Sequence, residues 1–183
     1  MPNTQAKFNP AVPQRHYTIA EWQEKEDWYI QQTSNLQFSV SPTPAEVQQF
    51  AMSIDGLLSV ARIDYAFITQ MNDKYEMQRK IEEQRQFVLL KQNTPAQFAN
   101  LKLTVDEMKG VVAQVISQTK WENGPLSLYD LIHIFNSRYV FMDGVIKLLQ
   151  DKKDLLITHN GILKIENSLS NMQPNTTVNR NGQ

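Results

Sequence analysis

Thr43-Pro44-Ala45-Glu46-Val47-Gln48-Gln49-Phe50 opens a stretch that runs to Gln92 without another proline, and its pattern decides the fold. Thr43 suits the N-cap, Pro44 the first helical position, and Glu46 closes a capping box three residues after the cap. A single helix over 44–92 would be about 73 Å long, at about 1.5 Å per residue. Its apolar residues recur at heptad spacing: Val47, Phe50, Ile54, Leu57, Ala61, Ile68, Met71 and Tyr75. That spacing lays a seam along one face. Between Leu57 and Ile68 the other faces fill in as well, with Leu58, Val60, Ile63, Tyr65, Ala66 and Phe67, so this half is expected to be buried.

Asp64 is the one break in the seam. It is either a register-setting buried group, paired with Arg62 or with a Lys or Tyr of another chain, or the point where the seam turns to solvent. Beyond Tyr75 the seam thins to Met77 and Ile81 among Lys74, Glu76, Arg79, Lys80, Glu82, Glu83 and Arg85. This half reads as a rod in solvent or loosely packed on a neighbour. Phe87, Val88, Leu89 and Leu90 close it with a fresh apolar patch.

Three more caps organise the rest. Thr18-Ile19-Ala20-Glu21 starts a short helix over about 19–32 carrying Trp22, Trp28 and Tyr29, expected to dock on this chain's own core. Thr94-Pro95-Ala96-Gln97 stops the long helix and opens a short one. Thr104-Val105-Asp106-Glu107 begins an amphipathic helix toward Trp121, followed by a turn at Asn123-Gly124-Pro125. Ser127 then caps a helix whose core positions, Leu128, Phe135, Met142, Leu149, Leu156 and Leu163, are spaced by seven, with Ile132, Tyr139 and Ile146 as a companion row. Asn160-Gly161 is also the preferred two-residue hairpin turn, so 155–166 could fold back as a hairpin. The seven-residue spacing runs through it and favours helix. Residues 36–40 alternate like a strand but lack a partner, and are expected to be a linker.

The organisation expected is an extended arm over 1–15, a short helix and linker over 16–42, a helical domain over 43–170, and a flexible tail over 171–183. The fold class is all-α: a long helical hairpin or bundle with coiled-coil-like seams and extended N- and C-terminal arms.

Composition narrows function only a little. The chain has 183 residues, 41% hydrophobic and 20% charged, with 18 basic against 19 acidic side chains. That fraction excludes wholesale disorder, and the balance supplies no long-range field for nucleic acid or an anionic membrane. Cysteine is absent, which removes disulfides, thiolate nucleophiles and thiolate metal sites. No secretory signal or membrane span is evident, so the chain is expected in the cytoplasm or in a virion assembled there.

Chemical motifs are also missing. His16, His133 and His159 form no HExxH, and Asp130 with His133 would give a metal only two ligands. The pairs Glu82/Glu83 and Asp106/Glu107 have no apolar pocket to raise a pKa. No glycine-rich phosphate loop or Gly-x-Ser-x-Gly elbow occurs. Catalytic, metal and cofactor residues are therefore expected to be none.

The layout from 44 to 169 resembles the small helical recombination mediators of T-even-type phages: a long charged helix, a capped helix, then an apolar C-terminal helix. That resemblance implies single-strand binding. The chain departs from the family's C-terminal Arg-Gly-aromatic segment, since the corresponding stretch is Lys147-Leu148-Leu149-Gln150-Asp151-Lys152-Lys153. Nucleic-acid contacts on this reading are Lys74, Arg79, Lys80 and Arg85, with a second group at Lys147, Lys152, Lys153 and Lys164. Tyr75, Phe87 or Trp121 could stack bases beside them.

The favoured expectation is a non-enzymatic, oligomerising helical protein, such as a virus-particle component or assembly factor, joined to copies or protein partners. Its interface is expected at Val47, Phe50, Ile54, Leu57, Ile68, Met71, Tyr75, Leu128, Phe135, Met142 and Leu149.

Overall fold

The computed structural model describes residues 8–13, 17–37, 42–92, 103–122 and 124–171, with the side chains of 163, 166, 167 and 169–171 left out. The described residues include four helices: α1, Ile19–Asn35; α2, Pro44–Gln92; α3, Val105–Gln118; and α4, Leu128–Asn171. The expected short helix after Thr94 lies outside the described residues, as do 38–41 of the linker and the tail beyond Asn171.

Each helix starts where a short polar side chain takes up its first free N–H groups. Thr18 Oγ1 accepts from Glu21 N at 3.2 Å, and Glu21 Oε2 accepts from Thr18 N at 2.8 Å. Thr43 with Glu46 and Thr104 with Glu107 repeat the arrangement. At α4, Ser127 pairs with Asp130, an aspartate in the third helical position. These reciprocal bonds satisfy two orphan donors per helix. They also stabilise the ionised carboxylates. The backbone bond from the threonine is the main cause that lowers the pKa of Glu21, Glu46 and Glu107, and the Ser127 hydroxyl does so for Asp130.

α2 and α4 run antiparallel along their seams. Going up α2, Asp55 meets Lys153, Tyr65 meets Tyr139, Asn72 meets Asn136, Tyr75 meets Phe135 and Glu83 meets Tyr129. The two heptad rows therefore cover each other. Ile54, Ala61 and Ile68 of α2 and Leu128, Met142 and Leu149 of α4 are all within a few per cent of complete burial. α3 covers the far end of the pair, bringing Val112 and Ile116 to the core near Leu90 and Phe87. α1 lies over the other half, with Trp22 and Tyr29 in the same core cluster. The short helix thus docks at home, and it extends to Asn35 rather than Gln32.

Two local features needed the structure. Asn160-Gly161 makes no hairpin: α4 passes through it unbroken to Asn171, and Leu156, one turn before it, is buried. The α3–α4 connection is a tight turn in which Trp121 N donates to Leu126 O and Gly124 N to Trp121 O at 2.8 Å. A side chain at Gly124 would stand 3.1 Å from that oxygen, so glycine belongs there.

Candidate functional site

The most unusual site is a set of charged and phenolic groups sealed between α1 and α2. Lys25 Nζ lies 2.7 Å from Asp64 Oδ2, and both side chains are 0% exposed. Tyr29 donates to Asp64 Oδ2 at 2.6 Å, and Tyr17 donates to Oδ1 at 2.8 Å. Lys25 also donates to the Tyr17 hydroxyl at 2.7 Å and to the Val12 carbonyl at 3.5 Å. The ammonium thus has three acceptors and each carboxylate oxygen at least one donor, the full complement a buried pair requires. Burial pushes the Lys25 pKa down, and the Asp64 hydrogen bond and charge oppose the fall. Burial first, then the Asp64 bond, pushes the Tyr29 hydroxyl far above its usual range. A fully satisfied, closed set has no group left over for a substrate. Its physical effect is to fix how α1 sits.

Asp64 is therefore not where the seam meets solvent, and its partners here are not Arg62 or another chain. They come from α1, and from Tyr17 just ahead of it, in the same molecule. Lys25 gave little sign of this, because Glu24, Glu26 and Asp27 beside it look like a solvated face. The one legible signal was the break in the seam.

α1 meets α4 through a second mixed set. The Arg138 guanidinium lies 5.2 Å from the Trp22 ring and 5.3 Å from Phe135, within cation–π range. Burial lowers the Arg138 pKa, and the Glu26 charge opposes that. Glu26 also accepts from Trp22 Nε1 at 2.7 Å. At the other end, Lys152 Nζ donates to the Thr33 and Leu36 carbonyls at 2.9 and 2.5 Å. α1 has no basic residue in its own last turn, so Lys152 caps it from α4.

The eleven residues expected at an interface between chains are core positions of this one. Val47, Ile54, Ile68, Tyr75, Leu128, Phe135, Met142 and Leu149 are buried, and Phe50, Leu57 and Met71 are partly buried against them. The reason is the antiparallel pairing, which lets the two seams serve each other. A different set faces outward. On α4, Leu148, Leu155 and Ile162 recur every seven residues and are 43%, 63% and 48% exposed. On α2, Met52, Ile63, Met77, Ile81 and Val88 face away from the core.

The four basic residues of the α2 rod are brought into no common groove. Arg79 is tied to Glu76 and Glu83 at 2.8 Å each, and the Glu76 bond is the main cause that raises its pKa. Arg85 faces Glu82 at 3.6 Å, Lys74 lies over the Tyr75 ring, and Lys80 is exposed beside a shallow α2–α3 cavity. In the second group, Lys147 pairs with Asp143, Lys153 with Asp55, and Lys152 caps α1. Of the stacking candidates, Tyr75 is buried against Phe135, while Trp121 and Phe87 are partly buried.

Among the described residues no group of three or more His, Asp or Glu side chains could hold a metal ion, and no helix is long and apolar enough to cross a membrane. Comparison of the chain with protein-family models, with curated proteins and with solved structures found no match.

Proposed function

We propose that the chain is a non-enzymatic helical interaction protein that self-associates within a larger assembly, in the cytoplasm or in a particle built there. One observation carries this reading: the outward row Leu148, Leu155 and Ile162 on α4. Single exposed apolar residues are ordinary on a protein surface, but a row is not. Seven-residue spacing is the pattern by which one helix seats another. The row sits on a different face from the Leu149 and Leu156 positions that serve the chain's own core. The outward residues of α2 add to the apolar area that a neighbour would cover.

Solution mass tests it. The chain is expected to exceed monomer mass at tens of micromolar, and Leu155→Glu with Ile162→Glu is expected to return it to monomer without loss of helicity. A strictly monomeric wild type overturns self-association. Arg79, Arg85, Lys147 and Lys153 each stand beside a carboxylate, so a phosphate approaching them meets negative charge as well, which weighs against the single-strand-binding alternative. A salt-dependent shift of a labelled oligonucleotide would restore that alternative.

A further inference from the structure

We infer that α1 is a releasable cover, and that its seat on α4 and α2 is a docking site for an acidic, aromatic helix of a partner. Three features point this way together. First, α1 stands off from α2: among the described residues no Cα of one lies within 8 Å of a Cα of the other. Tyr17, Lys25 and Tyr29 span the gap with long side chains that end on Asp64. Helices in close ridge-to-groove contact do not need such spans.

Second, polar anchors stand among the apolar ones. α1 buries Trp22 and Tyr29, but also Lys25 and Thr33. When a helix held by apolar area leaves, its greasy face meets water. When this one leaves, Trp22 and Tyr29 meet water too, but Lys25 and Asp64 recover hydration that burial had removed, which offsets part of that cost. A buried pair of this kind fixes one geometry at small net gain, as a latch must.

Third, the charges of seat and cover are matched: Lys25 of α1 meets Asp64 of α2, and the α4 side of the seat is basic. Arg138, Val145 and Lys152 recur every seven residues on α4. Arg138 meets Trp22 and the Glu26 charge, and Lys152 meets the carbonyl end of α1. Of the acids on α1 only Glu26 is placed against Arg138; Glu21 caps α1, and Glu24 and Asp27 are exposed. The occupant selected by this seat is thus a helix with a Trp and an acid at Arg138, and a Lys and Tyr one turn apart for Asp64. In the closed chain α1 is that helix; after release a partner's helix of the same chemistry takes its place. The partner rests on the interaction-protein reading above, whereas the cover does not.

Hydrogen exchange on the full chain tests the cover. Amides of α1 are expected to exchange at least about tenfold faster than those around Ile68 and Met142, through an opening that leaves α2 and α4 closed. Equal protection overturns the proposal. In Lys25→Met, α1 exchange is expected to rise by roughly a further hundredfold with the rest protected, and global unfolding of that variant likewise overturns it. The seat is tested with a labelled peptide spanning Tyr17 to Leu36. It should bind the Lys25→Met chain, whose seat is intact but weakly covered, and bind wild type more than about tenfold less well, since a closed cover taxes affinity. No binding, or equal binding to both, overturns the seat. A monomeric wild type that still shows this exchange and binding would remove self-association and leave the cover standing.

Discussion

Lys25 of α1 and Asp64 of α2 form a direct ion pair 2.7 Å long that no water reaches from the surface, with both side chains fully buried. Removing one partner leaves the other charge uncompensated in a low-dielectric site. Asp64→Ala is therefore expected to cost about 3–5 kcal/mol by urea unfolding, as for other broken buried pairs. Lys25→Met combined with Asp64→Leu replaces the pair by apolar side chains. It is expected to recover most of that loss, because matched apolar groups of similar volume often equal a buried ion pair. A double variant as unstable as the single would mean that the Tyr17 and Tyr29 hydroxyls, left without Asp64, dominate the cost.

Leu149 and Met142 have no exposure and lie on the α4 row facing α2. Truncation of either to alanine removes contacts on several sides, and the two long helices cannot close around the gap independently. A loss of about 2–5 kcal/mol is expected for each, with a lower midpoint and little change in denaturant slope. Leu155→Ala, on the outward row of the same helix, is expected to change monomer stability by less than about 0.5 kcal/mol. Equal effects at Leu149 and Leu155 would show that the outward row is already covered in the unit being unfolded.

Much of this architecture was legible because its causes are local. A threonine or serine with an acid three residues later is a local signal for a helix start, and Thr18, Thr43, Thr104 and Ser127 all start helices in the structure, whereas Thr119 with Glu122 has the same spacing and ends α3. The heptad rows likewise marked Ile54, Ile68, Met142 and Leu149 as positions needing cover. What spacing could not supply was the identity of the covering surface. A seam is satisfied equally by a second helix of the same chain or by a second molecule, and antiparallel pairing of α2 with α4 is a long-range outcome. The same holds for Asp64. Its place among apolar neighbours was visible, but Lys25, Tyr29 and Tyr17 reach it only because α1 folds back over α2. The outward row Leu148, Leu155 and Ile162 becomes distinct from the core row only once α4 has a known inner face.

The four cap carboxylates make part of the fold's stability depend on acid pH. Glu21, Glu46, Glu107 and Asp130 all have pKa values lowered from ordinary values of 4.5 and 3.8 by hydrogen bonds from Thr18, Thr43, Thr104 and Ser127. A carboxylate with a lower pKa in the folded state adds stability that is complete above its unfolded value and is lost as pH falls through its folded value. Unfolding midpoints are therefore expected to hold steady from neutrality down to about pH 5, then to fall progressively through pH 4 and below. Glu46→Gln keeps a group able to accept from Thr43 N but cannot ionise, so it should flatten part of that acid slope while lowering stability slightly at neutral pH. The check is urea unfolding followed by circular dichroism across this range for wild type and Glu46→Gln. If the variant kept the full wild-type slope, the Thr43 cap would have no share in acid sensitivity.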